Sequence, residues 1–205
     1  SDTTIYLGDS PNVSHIYAID GTFNVSLTIK DTVGCENTIV KELIFSKRIA
    51  KIASDLMQVD GVRLYHDQAL FKEGGGGITP WHADQYYWPL QTDKTVTAWI
   101  PLQATPLEMG PLEFSAGSHV IVEGRELEIG DESETVIQNK LCVTDFKHVI
   151  EPFDVGEISF HSGWVFHRAG ANTTNQMRKV MTIIYMDKNM LLKNIATIFL
   201  SLPPS

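Results

Sequence analysis

Short runs rich in β-branched and aromatic residues recur along the chain, and turn-forming residues separate them. Downstream of residue 60 these runs are "VRLYHDQALFKE", "KTVTAWIPLQ", "GPLEF", "GEISFHSG" and "RKVMTIIYMD". Runs of this composition predict β-strands. Because many short strands follow one another with turns between them, the pattern indicates a jelly roll or sandwich rather than βαβ units.

One segment has helical periodicity instead: "SKRIAKIASDLMQVDG", which starts at Ser46. Its apolar residues at helical spacing are Ile49, Ile52, Ala53, Leu56 and Met57. Ser46 can cap the start of this helix, and Gly61 lies just past its end. Farther along, residues 121 to about 150 are polar and acidic. They predict an insertion or lid that is partly helical, with a solvated loop around "GDESE".

The first 45 residues form a separate part, in which "NVSHIYAI" and "FNVSLTIK" flank "DG", a hairpin signal, and "IVKELIF" predicts a further strand. This stretch resembles the last strands of a PKD-like, immunoglobulin-type module. We therefore predict two parts: residues 1–45, a PKD-like β fragment or atypical N-terminal extension, and residues 46–205, a jelly-roll domain.

Composition excludes several classes of protein. The net charge of -9 argues against nucleic acid as a partner, because that partner needs a basic face. The two cysteines are far apart and form neither a disulfide framework nor a zinc motif. We expect no membrane span and no signal peptide, and hence a cytoplasmic location, although the PKD-like fragment keeps secretion open. The sequence leaves the oligomeric state open.

The run "TPWHADQYYWP" places His82 and Asp84 one residue apart. In a strand, residues i and i+2 point to the same face, so an imidazole and a carboxylate converge there. A 2-His-1-carboxylate facial triad needs this pair and a distant histidine. The candidates for the third ligand are His66, His119, His148, His161 and His167.

The segment "HSGWVFHRAGANTTNQMRKV" favours His167, with His161 in a supporting or packing role. His167 ends a strand-like run, and Arg178 follows 11 residues later at the start of the next strand. A turn between them predicts that these two strands lie side by side, with a guanidinium close to a metal ligand. A 2-oxo acid needs this arrangement, because it chelates the metal and its distal carboxylate takes the bidentate arginine fork.

From about residue 46 to 187 the chain resembles the phytanoyl-CoA dioxygenase family of Fe(II)- and 2-oxoglutarate-dependent oxygenases. The segments that match in family order are "HDQALFKE", "TPWHADQYYWP", "TAWIPL", "MGPLEFSAGSH", "GEISFHSGWVFHRAGAN" and "MRKVMTIIYM". The resemblance implies a mainly β, cupin-like double-stranded β-helix with a few flanking helices. It also implies Fe(II), 2-oxoglutarate and O₂ as cofactor and co-substrates.

Carried over to this sequence, the resemblance makes His82, Asp84 and His167 the iron ligands. It makes Arg178 the partner of the 2-oxoglutarate C5 carboxylate, with Trp99 and Gln68 beside the co-substrate. The predicted substrate wall is Tyr86, Tyr87, Trp88 and Trp164. Relatives that halogenate have a small residue in place of this carboxylate, so Asp84 favours hydroxylation.

The expected reaction is hydroxylation of an unactivated C–H bond of a small organic substrate, with release of succinate and CO₂. Two alternatives stay open. The chain could be a non-catalytic, β-rich binding or adhesion module, which has no need of Arg178. It could also be a cupin-like metalloenzyme that uses the same three ligands without 2-oxoglutarate.

Overall fold

The computed structural model describes residues 26–30, 36–40 and 43–193. The chain divides into two units, Ser1–Phe45 and Ser46–Ser205. In the first unit β1 (Ser26–Lys30) pairs antiparallel with β2 (Glu36–Val40). The predicted strand "NVSHIYAI" lies outside the described residues, and the PKD-like assignment of residues 1–45 stays a prediction.

The predicted helix is present as α1 (Lys47–Met57). Ser46 caps its start and accepts a hydrogen bond from the backbone N–H of Ile49. The helix ends at Gln58, which adopts the left-handed conformation with φ 55°. Gly61 lies past the end of the helix, three residues beyond Gln58. No helix among the described residues is long and apolar enough to cross a membrane.

Two four-stranded antiparallel sheets form the second unit, which confirms the mainly β, jelly-roll prediction. In chain order the strands are β3 (Val62–Lys72), β4 (Thr79–His82), β5 (Thr95–Pro101), β6 (Leu112–Ala116), β7 (Lys147–Ile150), β8 (Ser159–Ser162), β9 (His167–Ala169) and β10 (Arg178–Asp187). The first sheet has the order β3-β10-β5-β8, and the second sheet has the order β4-β9-β6-β7.

The strands that carry His167 and Arg178 belong to different sheets, since β9 lies in the second sheet and β10 in the first. The prediction that they lie side by side is wrong. The segment between them is a crossover from one sheet to the other rather than a hairpin turn. The two side chains consequently approach from opposite sheets.

A helix, α2 (Asp131–Cys142), occupies the acidic stretch and includes most of "GDESE", which was expected to be a solvated loop. That expectation is wrong because tertiary contacts hold the helix in place. Glu134 accepts a hydrogen bond from the backbone N–H of Trp81 at 2.8 Å, and Gln138 accepts one from its indole at 2.8 Å. Ile137 is 1 % exposed and packs in one cluster with Trp81 and Phe166.

Candidate active site

Two histidines face each other across strands β4 and β9. His82 and His167 are Cα partners, and their ring centroids are 4.2 Å apart. The Nδ1 of His82 lies 2.7 Å from the carbonyl oxygen of Pro80, and that of His167 lies 3.0 Å from the carbonyl oxygen of Val165. Each Nδ1 therefore carries the proton, which leaves Nε2 as the metal-binding atom.

Asp84 completes the cluster. It begins the 3-10 helix Asp84–Tyr87, and the preceding Ala83 is still extended, which keeps Asp84 on the same side as His82. Its Oδ1 is 3.5 Å from His82 Nε2 and 3.6 Å from His167 Nε2. The ligand atoms of these three residues lie within 4.8 Å of one another. The set fits a divalent ion of the facial-triad type.

The electrostatics of the cluster favour its metal-binding form. Burial alone would raise the pKa of Asp84. The histidines around it have a larger opposite effect together, so the pKa of Asp84 lies well below its usual value. Burial, together with the neighbouring His82, holds the pKa of His167 well below its usual value. At neutral pH the cluster thus offers a carboxylate and a neutral imidazole, as metal binding requires.

The second oxygen of Asp84 has two partners of its own. Thr97 Oγ1 donates to Oδ2 at 3.0 Å, and His161 Nε2 lies 3.3 Å from the same oxygen. His161 was weighed as a third ligand from the sequence, whereas Thr97 was missed. The signal for Thr97 was its position two residues before Trp99 on a strand, which puts both side chains on one face.

Residues of both sheets line a cavity of about 470 Å³ around this cluster. The predicted site residues that line it are His82, Asp84, His167, Arg178, Trp99, Gln68, Tyr87 and Trp88. Tyr86 and Trp164 do not line it. The Trp164 ring instead lies beneath the Arg125 guanidinium, at 4.5 Å, and packs on the cluster beside α2. Successive residues of a 3-10 helix point in different directions, so Tyr87 lines the cavity and Tyr86 does not. The Tyr86 ring packs edge-on against that of Tyr87.

Arg178 is a buried cation, 4 % exposed, that has no carboxylate partner among the described residues. Its guanidinium carbon lies 5.5 Å from the Trp99 ring, and its Nη1 donates to the Gly110 carbonyl. Burial lowers its pKa to about 10. Within the described part of the chain, Arg178 Nε and Trp99 Nε1 are both buried without a hydrogen-bond partner. Such orphaned donors, in the same cavity as the His82, Asp84 and His167 cluster, fit a carboxylate such as that of a 2-oxo acid.

Sequence reasoning also missed Tyr65 and Lys72, and it considered His66 only as a third ligand. Tyr65 and His66 line the cavity on β3, next to Trp88. Lys72 of β3 is the Cα partner of Arg178 and donates to the Gly170 carbonyl at 2.7 Å. For Lys72 the available signal was the alternation of β3, which puts it on the same face as His66 and Gln68.

The chain is similar to several oxygenases. It is 24 % identical over 152 residues to a probable alpha-ketoglutarate-dependent hypophosphite dioxygenase of Stutzerimonas stutzeri, which covers 71 % of this chain and 52 % of that protein. The chain thus spans about half the length of this curated relative.

Two solved structures are similar to most of the chain. The α-ketoglutarate-dependent carbocyclase SnoK from nogalamycin biosynthesis is 27 % identical, with a TM-score of 0.64, over 80 % of this chain and 66 % of that one. The epimerase SnoN, in complex with Fe³⁺, α-ketoglutarate and nogalamycin RO, is 27 % identical, with a TM-score of 0.64, over 80 % of this chain and 65 % of that one.

The family model of phytanoyl-CoA dioxygenase matches residues 16–180, so it begins within the first 45 residues. This match extends over well more than half of the chain and includes the three-residue cluster, Trp99 and Arg178. The chain therefore belongs to the phytanoyl-CoA dioxygenase family.

Proposed function

We propose that this chain carries the catalytic domain of an Fe(II)- and 2-oxoglutarate-dependent dioxygenase that hydroxylates a C–H bond of a small organic substrate. One observation supports this most directly. The cavity that contains the cluster of His82, Asp84 and His167 also contains Arg178, a buried guanidinium for which no described residue provides a carboxylate partner. A metal site and an unpaired anion site in one cavity are what a dianionic, chelating co-substrate requires.

His82, Asp84 and His167 would hold Fe(II), which together with 2-oxoglutarate and O₂ supplies the oxidising power and yields succinate and CO₂. Arg178 binds the distal carboxylate through its forked donors, and the Gly110 carbonyl fixes the guanidinium in place. The indole N–H of Trp99 is a further buried donor on the same side. These contacts orient the co-substrate before any chemistry begins.

An aromatic wall forms another side of the cavity. The rings of Tyr65, His66 and Trp88 meet edge to face, with centroids 5.1 to 6.1 Å apart. Tyr87 lies beside them, 46 % exposed, and its hydroxyl accepts a hydrogen bond from the backbone N–H of Ile129. This wall would hold an apolar part of the substrate near the metal and exclude water.

The first test is an anaerobic titration of the apoprotein with Fe(II) and 2-oxoglutarate, monitored by the visible charge-transfer band. We expect a band that needs both additions and is absent in His82→Ala. A folded wild-type protein without this band would favour the non-catalytic binding module.

The second test distinguishes the proposed function from a cupin-like metalloenzyme that does not use 2-oxoglutarate. Arg178→Leu removes the distal carboxylate's partner, so we expect the affinity for 2-oxoglutarate to fall by about a hundredfold, as loss of a buried charged hydrogen-bonding partner implies. Metal affinity measured without 2-oxoglutarate should stay close to that of the wild type. An unchanged turnover in Arg178→Leu would contradict the proposed use of this co-substrate.

A further inference from the structure

Asp84 has two oxygens in different environments. Oδ1 lies 3.5 Å and 3.6 Å from the Nε2 atoms of His82 and His167, so it faces the metal position. Oδ2 faces Thr97 and His161, at 3.0 Å and 3.3 Å. A carboxylate held in this way can offer one oxygen to a metal while the other oxygen is occupied.

The two groups around Oδ2 lie opposite each other on neighbouring strands of the first sheet. Thr97 of β5 and His161 of β8 are Cα partners, as His82 and His167 are in the second sheet. Two cross-strand pairs thus face Asp84 from opposite sheets. The pair in the second sheet supplies metal ligands, and the pair in the first sheet supplies donors to the carboxylate.

The orientation of His161 destabilises the fold. This residue is 5 % exposed, and its Nδ1 is buried without a hydrogen-bond partner among the described residues. An unsatisfied buried nitrogen destabilises the fold, so packing alone would favour an apolar side chain here. The nitrogen that does have a partner is Nε2, which contacts Asp84.

We propose that Thr97 and His161 are positioning residues that fix Asp84 as a one-oxygen ligand and thereby keep coordination positions open for 2-oxoglutarate and O₂. A carboxylate free to rotate can bind a metal through both oxygens and so occupy one of those positions. Residues that hydrogen-bond to metal ligands typically contribute about 10- to 100-fold to metal affinity. This inference rests on the proposed function, since it assumes a metal at this cluster.

The test measures Co(II) affinity without oxygen or 2-oxoglutarate, by competition with a chelating dye, and then 2-oxoglutarate affinity at saturating Co(II). Thr97→Val removes the hydroxyl and keeps the shape, whereas Thr97→Ser keeps the hydroxyl. His161→Leu removes the donor, whereas His161→Gln keeps an N–H at similar reach. Thr105→Val is the control, because Thr105 is also buried but its hydroxyl donates to the Gln103 carbonyl.

We expect Thr97→Val and His161→Leu each to weaken Co(II) binding by about tenfold or more. We also expect both to weaken 2-oxoglutarate binding when the metal is saturating, an effect that a purely structural role would not produce. Thr97→Ser, His161→Gln and Thr105→Val should stay within about threefold of the wild type, well below the range for lost ligand support.

Two results would overturn the inference, and they differ in what else they overturn. If His82→Ala abolishes Co(II) binding but Thr97→Val binds both ligands like the wild type, the positioning role is wrong and the proposed function stands. If the folded wild type does not bind Co(II), both fail. Should His161→Leu fail to fold, Thr97→Val alone decides between these results.

Discussion

Lys72 and Arg178 are Cα partners on the adjacent strands β3 and β10, which places two cationic residues directly opposite each other. Each donates to a backbone carbonyl, Lys72 to Gly170 and Arg178 to Gly110. Burial, followed by the charge of Arg178, lowers the pKa of Lys72 to about 8, against an opposing effect of Glu113. Like charges opposite each other destabilise an antiparallel pair. A bound anion would reduce the repulsion between these two cations.

We predict that 2-oxoglutarate binding takes up a proton near pH 8. The distal carboxylate on Arg178 offsets the positive charge near Lys72, so the pKa of Lys72 rises from about 8 when the co-substrate binds. At pH 8 roughly half of a group with that pKa is already protonated, so the uptake is at most about half a proton. Calorimetry in buffers of different ionisation enthalpy measures it. Lys72→Met should abolish the uptake, and equal enthalpies in all buffers for the wild type would contradict the prediction.

The same lysine predicts how the stability of the apoprotein depends on pH. Its pKa falls from 10.5 to about 8 on folding, so between these values the unfolded chain binds more protons than the folded one. The free energy of unfolding therefore gains a term that rises with pH across this window. Relative to Lys72→Met, the wild type should be least stable below about pH 8 and should improve toward pH 10. Urea midpoints at four pH values test this, and parallel curves for the two proteins would refute it. The effect will be small because solvent reaches part of the side chain.

Local patterns were sufficient for much of the fold. Runs rich in β-branched and aromatic residues predicted five of the eight strands in the two sheets, and helical spacing with Ser46 predicted α1. His82 and Asp84 lie together because residues two apart in an extended chain point to the same side. This relationship depends only on local geometry, so the sequence was enough to predict it.

What the sequence could not show depends on contacts distant along the chain. No local signal distinguishes a hairpin between His167 and Arg178 from a crossover to the other sheet, since both need turn residues. Trp164 is apolar enough for a substrate wall, but its position is decided by Arg125 and the cluster beside α2. The start of α2 reads as a polar loop until the backbone of Trp81 supplies a partner for Glu134.

Glu134 links α2 to β4 and β9, the two strands that carry His82 and His167, so we predict that it contributes to stability. It accepts from the backbone N–H of Trp81 at 2.8 Å and pairs with Arg168 at 2.7 Å, next to His82 and His167 in sequence. Glu134→Ala leaves both groups without this partner, which should lower the free energy of unfolding by about 1–3 kcal/mol. Glu134→Gln, which can still accept from Trp81, should lose less.

The matched control is Glu132→Ala, an exposed carboxylate in the first turn of the same helix, which should change stability by less than about 0.5 kcal/mol. Urea unfolding gives all three values. Equal losses for Glu132→Ala and Glu134→Ala would mean that helix charge, rather than the contact with β4 and β9, is responsible.

We predict that replacing Gly110 lowers both the stability of the protein and its affinity for 2-oxoglutarate. The φ of Gly110 is +67°, and an added Cβ would collide with the carbonyl oxygen of Gly170. Gly110→Ala should cost about 1–3 kcal/mol from backbone strain alone, with the collision in addition. Because the Gly110 carbonyl anchors Arg178, the same change should weaken 2-oxoglutarate binding, while Co(II) binding at the histidine and aspartate cluster stays near the wild-type value.

Gly77→Ala is the control for this change, since a Cβ at Gly77 meets no atom within 4 Å and the residue does not adopt a left-handed φ. It should leave stability unchanged or raise it by at most about 1 kcal/mol. Urea unfolding and the anaerobic 2-oxoglutarate titration are run on both variants. A Gly110→Ala protein as stable as Gly77→Ala, with wild-type affinity for 2-oxoglutarate, would show that the close approach of Gly110 and Gly170 does not hold Arg178 in place.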